Sequence, residues 1–384
     1  MAKVAFVLES FPQLSETFVL DQMRALYSDG HKIHVIADHF NELDEEIFGD
    51  LSFVASLKNR WVVQSSIFAF LGFLPWFISS RLKVFFDLIS DSQLRKYDLL
   101  VAHFGLNGAR LAKSRSLRRF RTPIICIFHG YDVGIPLFEG KLHHYRCLFK
   151  KAKLLLCVNE WFCEVLENAG ASSAKLKVHR MGVNIDSIEY RKRERNRLDI
   201  LSVCRLVEKK GINVALKALS VLIEKRPDIS VNFKIVGDGP LKRELEQQAH
   251  ELKIINYVEF LGAMPNATVR DFLYEANVFI LPSVTATNGD VEGVPVSLME
   301  AMASGATVVS TRHSGIPELI ADGVSGFLAD EFDEEGLVDA LEKLHDEPEL
   351  ASSMALRGRL KVEADFNSEN LRKSFLNYVN GCLM

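Results

Sequence analysis

The chain has little to staple it or to tie it to a polyanion. Its six cysteines, Cys126, Cys147, Cys157, Cys163, Cys204 and Cys382, are scattered through 384 residues with no close pair at metal-ligand spacing. Several lie in apolar runs, as buried free thiols do, so a reducing cytoplasm is expected and a disulfide framework is not. The formal charge is only −4, which leaves no basic footprint for nucleic acid. No secretory signal is expected, because Lys3–Leu8 is already a β-rich run leading into a fold. No internal repeat is visible.

What is present is a globular composition, 48% hydrophobic and 25% charged, at a length that favours two domains. Apolar β-rich runs alternate with helical patterns. Lys3–Leu8, a helix from Ser15 to about Ser28 and His31–Ala37 make the first strand–helix–strand unit. Asp98–Ala102, Pro123–Phe128 and Leu154–Val158 continue the strands, and a helix follows over Glu160–Asn168. The charged stretch 184–197 reads as a linker. Beyond it come strands at Asp199–Val203, Ser230–Val236, Tyr257–Phe260, Val278–Leu281 and Ala306–Ser310. Helices at Gly211–Lys225, Leu241–Glu251, Glu334–His345, Glu349–Glu363 and Ser368–Asn380 complete the pattern. This is the alternation of a doubly wound parallel sheet, whose ligands sit beyond the strand C-termini.

Trp61–Ser80 stands apart. It carries no charge, is rich in Phe and Trp, and is flanked by Lys58, Arg60, Arg81 and Lys83. A transmembrane span is disfavoured by Pro75, Gly72 and its serines, and it would divide one sheet across a bilayer. A buried or cleft-lining helix and an interfacial helix at a membrane surface both remain open.

Asp290–Gly305, DVEGVPVSLMEAMASG, is the stretch around which the rest is organised. Pro295 suits the first turn of a helix. The amides of Gly293, Val294, Val296 and Ser297 would then face an anion at the helix N-terminus. Glu292 precedes that helix and Glu300 lies one to two turns into it. The bland alternative is a buried helix with two surface carboxylates.

EGVPVSLMEAMASG, followed by STRHSGIPELI, resembles the nucleotide-sugar-dependent retaining glycosyltransferases of family 4. The opening FPQLSETFVLDQM is similar to their colanic acid and amylovoran exopolysaccharide branch. The resemblance implies an α/β GT-B fold: two Rossmann-like doubly wound domains facing across a cleft. Residues 1–188 would bind the acceptor and 189–366 the nucleotide sugar, with a C-terminal helix, 367–384, packing back on the first domain.

Arg205 and Lys210 follow a strand directly and would point at a diphosphate, with Lys209 the alternative if the loop register slips. A guanidinium suits bidentate contact with phosphate. In the resembling family an Arg and a Lys at this spacing do that work. A solvated basic turn is the bland alternative. His129, at the end of Pro123–Phe128, would contact the donor sugar by resemblance, and His103 is a second candidate cleft residue. Gly237, Asp238 and Gly239 form a tight turn that reads either as part of the nucleotide site or as geometry alone. Leu261 lies where the family holds the base. Arg312 and His313 could contact phosphate or belong to a surface loop. Ser283–Val291 reads as a mobile loop. The loop Ser10–Thr17 lacks the family's usual glycines, which points to side chains such as Ser15 and Glu16 meeting the acceptor.

The expected activity is transfer of a hexosyl group from a UDP- or GDP-sugar to a glycan acceptor, such as a polyprenyl-diphosphate-linked intermediate. Glu300 would bind the ribose and Glu292 the sugar. No cofactor and no metal are expected, and nucleic acid is not expected as a partner. A membrane surface is a further expected partner, at the inner face of a bacterial membrane. The alternatives are an epimerase or hydrolase on the same fold, and an inactive binding subunit of a polysaccharide assembly complex.

Overall fold

The computed structural model describes residues 1–12, 17–41, 50–59, 91–118, 120–194 and 196–384. Ser15, Glu16 and the stretch 61–82 lie outside them. The chain forms two compact units, Met1–His179 with Arg372–Met384, and Arg180–Leu371.

Among the described residues, the first unit has a seven-stranded sheet. Its strands are β1 (Lys3–Phe11), β2 (Lys32–Phe40), β3 (Val54–Asn59), β4 (Leu99–His103), β5 (Ile124–Phe128), β6 (Leu154–Cys157) and β7 (Leu176–Val178). They run β3-β2-β1-β4-β5-β6-β7, all pairs parallel. Helical crossovers cover both faces of such a sheet, so its central strands are apolar throughout. Every residue of β4, LLVAH, and β5, IICIF, is buried. The C-terminal helix Ser368–Leu383 brings Phe375 and Val379 into this core beside Val4 and Phe6.

The second unit repeats the plan with six strands: β8 (Leu198–Val203), β9 (Val231–Val236), β10 (Val258–Gly262), β11 (Val278–Leu281), β12 (Thr307–Thr311) and β13 (Phe327–Ala329). Their order is β10-β9-β8-β11-β12-β13, again parallel. In each sheet the winding reverses once, between β1 and β4 and between β8 and β11. The loops leaving those strand ends diverge and open a crevice, the usual ligand position of an open α/β sheet.

Two expectations need correction. The stretch 184–197 is not a free linker. Val183, Ile185 and Ile188 belong to the second core, and Arg193 donates to the carbonyls of Leu273 and Ser304. The division falls between His179 and Arg180 instead. The strands β3, β7 and β13 escape the pattern reading because they are edge strands, short or only partly buried. Among the described residues no helix is long and apolar enough to cross a membrane.

Candidate active site

At the switch point of the second sheet, the loop after β8 carries Arg205, Lys209 and Lys210. Gly211 ends it with φ 65°, and a Cβ there would lie 1.8 Å from the Pro282 carbonyl oxygen just after β11. The loop after β8 is thus pressed against the loop after β11, and only glycine permits it. Gly237 does the same on the other side: a Cβ would lie 1.8 Å from the Cys204 carbonyl oxygen. Leu206 donates its amide to Asp238, and Gly237 donates to the Gly262 carbonyl beside Leu261. The turn 237–240 therefore lies against the Arg205 loop. Its glycines are explained by this close approach, and the Asp238 carboxylate accepts from the Gly239 amide.

The cations of the loop are used differently. Arg205 is exposed, and its side chain has no hydrogen-bond or ion-pair partner among the described residues. Lys210 is inward, its Nζ 3.0 Å from Glu292 Oε1. Lys209 Nζ stands 3.7 Å from the same oxygen and 3.0 Å from Asp290 Oδ1. Burial would push the Glu292 carboxyl up, but Lys210 and Lys209 outweigh it and hold the group below the usual glutamate range. Burial would likewise pull the Lys210 ammonium down, yet Glu292, Cys204 and Asp290 raise it. Both shifts favour the charged forms, because each charge stabilises the other against burial.

Pro295 is the N-cap of the helix Val296–Ser304, one residue earlier than its first turn. No side chain caps this end, so the leading amides keep the anion-binding capacity common to helix N-termini. Glu300 lies one turn in, half-buried, with no hydrogen-bond or ion-pair partner among the described residues. Burial raises its pKa against the opposing pull of Arg270.

Arg312 and His313 both have partners within the chain. Arg312 is paired with Asp322 at 2.5 Å and Asp330 at 3.2 Å. His313 is buried between Glu331 and the Glu292 amide. Ser283–Val291 is tied to its surroundings at three points. Glu331 accepts from the Thr285 amide and hydroxyl, Glu208 does the same for Thr287, and Lys209 holds Asp290. Glu208 and Glu331 were invisible as site residues because their partners are 79 and 46 positions away.

In the first unit, β4 and β5 deliver His103 and His129 side by side. His103 Nδ1 is 3.0 Å from His129 Nε2, and the rings stack at 5.2 Å. Phe18 and Phe104 pack on His129 at 4.7 Å each. Burial drives the His129 pKa down to about 3, with His179 adding to the effect. Asp132 organises the turn. Its carboxylate accepts from the amides of His129, Gly130 and Gly105, joining the end of β5 to the helix that follows β4. The tight HGYD turn after a strand was the available signal for this residue.

Residues 15–187 match the family described as Glycosyltransferase Family 4, and residues 186–361 that described as Glycosyl transferases group 1. A Salmonella typhimurium protein named for colanic acid biosynthesis, the glycosyltransferase WcaL, is 33% identical over 97% of this chain and 98% of its own length. The chain belongs to the family 4 glycosyltransferases. The amylovoran biosynthesis glycosyltransferase AmsK of Erwinia amylovora is also 33% identical, over 95% of this chain and 96% of its own. Anabaena HepE, solved with UDP, superposes with a TM-score of 0.75 at 19% identity, covering 99% of this chain and 100% of that one. The lipopolysaccharide outer core galactosyltransferase WaaB superposes with a TM-score of 0.75 at 18% identity, covering 99% of each chain. At such identities the likeness speaks for the fold, the two Rossmann-like halves of GT-B enzymes. In this glycosyltransferase the donor-site candidates Arg205, Lys210, Gly237, Leu261, Glu292 and Glu300 all lie in the second unit. His103 and His129 lie in the first.

Proposed function

We propose that the enzyme transfers a hexosyl group from a UDP- or GDP-sugar to a glycan acceptor carried on a lipid diphosphate, with retention of anomeric configuration. The observation that carries this reading is the cationic loop Arg205–Lys210 at the β8/β11 switch point, with Glu292 against it and an uncapped helix following. Arg205 and the first amides of the helix Val296–Ser304 hold the diphosphate. Glu300 accepts from the ribose hydroxyls. Glu292 holds the sugar, and Lys210 keeps the Glu292 carboxylate ionised.

In the reaction the bond from the anomeric carbon to the phosphate oxygen breaks. An acceptor hydroxyl forms the new bond on the same face and gives its proton to the departing phosphate. Negative charge grows on that phosphate, and donors already aimed at it lower the barrier, commonly the largest catalytic contribution. Arg205 and the helix amides meet that charge, and neither metal nor cofactor is expected. The solved complexes of HepE with UDP and with UDP-glucose support a uridine donor. A GDP-mannose-dependent mannosyltransferase of Mycolicibacterium smegmatis, 30% identical over 65% of this chain, supports a guanosine one. WcaL and AmsK support an exopolysaccharide intermediate as acceptor, and such an acceptor draws the enzyme to the inner face of the cytoplasmic membrane.

The test is a screen of UDP- and GDP-sugars for thermal stabilisation of wild type and of Glu300→Ala, followed by nucleotide release with and without a lipid-linked glycan. One donor should stabilise wild type only, and release should require acceptor and survive EDTA. Release that proceeds equally without acceptor would point to a hydrolase and defeat the proposal.

A further inference from the structure

Glu292 is restrained by more than its lysines. Their attraction is chiefly Coulombic and depends only weakly on direction. Glu292 Oε1, though 3.0 Å from Lys210 Nζ, accepts no aligned hydrogen bond among the described residues. The aim of the carboxylate therefore depends on how its backbone is held.

That hold comes from the turn just after β12. The Glu292 amide donates to Nε2 of His313 over 3.0 Å. A ring nitrogen that accepts carries no proton, so the single N–H of a neutral His313 is on Nδ1. Nδ1 lies 2.6 Å from Glu331 Oε1. Glu331 is fixed in turn by the Thr285 amide at 2.7 Å and its hydroxyl at 3.2 Å. The ring has no room to swing, since His313 is 1% exposed. Its base is anchored as well: the hydroxyl of Thr311, the last residue of β12, donates to the Ser283 carbonyl.

We infer that His313 and Glu331 are positioning residues, a relay from Thr285 through Glu331 and His313 to the Glu292 amide that aims the Glu292 carboxylate. The inference rests on the reading of Glu292 as a sugar-holding group. It also explains why a histidine stands here: the site needs an acceptor toward Glu292 and a donor toward Glu331 on opposite edges of one rigid ring.

Two isosteres separate the two edges. His313→Gln keeps an acceptor near the Nε2 position. His313→Asn keeps a donor near the Nδ1 position and leaves the Glu292 amide bare. With the full chain and its donor and acceptor, Asn should lower kcat about thirtyfold with donor KM changed less than about threefold, since a misplaced group costs rate more than binding. Gln should stay within about threefold of wild type. Long-range proton–nitrogen spectra of histidine-labelled protein should show His313 protonated on Nδ1 and bare on Nε2. A proton on Nε2 would overturn the relay whatever the kinetics. So would equal loss of kcat in both variants in step with a lower melting temperature, or wild-type kcat in both. Wild-type kcat in Glu292→Gln would instead sink the reading of Glu292 and the functional half of the inference. The nitrogen spectra tell that failure from failure of the relay.

Discussion

Lys210 Nζ and Glu292 Oε1 stand 3.0 Å apart, at 15% and 10% side-chain exposure. The attraction offsets the cost of burying either charge, and neither would stay buried and charged alone.

Breaking the pair on one side should therefore be worse than removing it. Lys210→Met should destabilise the second unit by about 3 kcal/mol, and Lys210→Met with Glu292→Gln should recover much of that. The pH dependence follows from the shifts. Glu292 lies below its ordinary 4.5, so its contribution is complete above that value and is lost as pH falls through the lower folded pKa. Lys210 lies above its ordinary 10.5, so its contribution is complete below that value and is lost as pH rises through the higher folded pKa. Denaturant unfolding should show wild type keeping its advantage over the double variant unchanged from about pH 5.5 to about pH 9.5.

Acid should act on the first unit through its buried histidines. His129 is driven to about 3 and His179 to about 4, chiefly by burial, and His103 well below its ordinary range. Unfolded histidine binds a proton near 6.5, so stability is full above that value and falls as pH drops toward the folded values. At pH 5 the loss should be about 2 kcal/mol for each of His129 and His179. His179→Phe should flatten the fall, measured as the melting temperature between pH 7.5 and pH 5.

Arg205→Ala should leave the fold intact, because the side chain is exposed and partnerless among the described residues. Turnover should drop about a hundredfold, near 3 kcal/mol, as when a single transition-state donor is lost. Arg205→Lys should recover only part, since it restores charge without the bidentate fork. Unchanged turnover in Arg205→Ala would remove this residue from the site.

Gly211→Ala should be severe. Its Cβ would meet the Pro282 carbonyl at 1.8 Å on a backbone already at φ 65°, and a loss above about 3 kcal/mol is expected. Gly30→Ala is the control: φ is 85° but nothing lies within 4 Å, so about 1–2 kcal/mol is expected. Unfolding midpoints of the two variants compare them directly.

The central strands were legible because they are buried on both faces. Val278–Leu281 is four apolar residues in a row, and its bounds need no tertiary information. Phe327–Ala329, an edge strand of three residues, has no pattern long enough to stand out. The spacing of Arg205 and Lys210 marked the loop, but their different fates were not readable. Lys210 is inward because Glu292, 82 positions later, is there to receive it. Arg312 and His313 look alike in sequence, yet Asp322 and Asp330 take the first while Glu331 and the Glu292 amide take the second.

Sequence alone determined the two doubly wound sheets and the stretches at which ligand chemistry is possible, because burial and turn geometry are written in local composition, and its motifs carried the resemblance to the family. Tertiary structure decided which charges are spent on one another and which stay available. Such pairing depends on distances between residues far apart in the chain, and electrostatic energy varies with those distances and with burial.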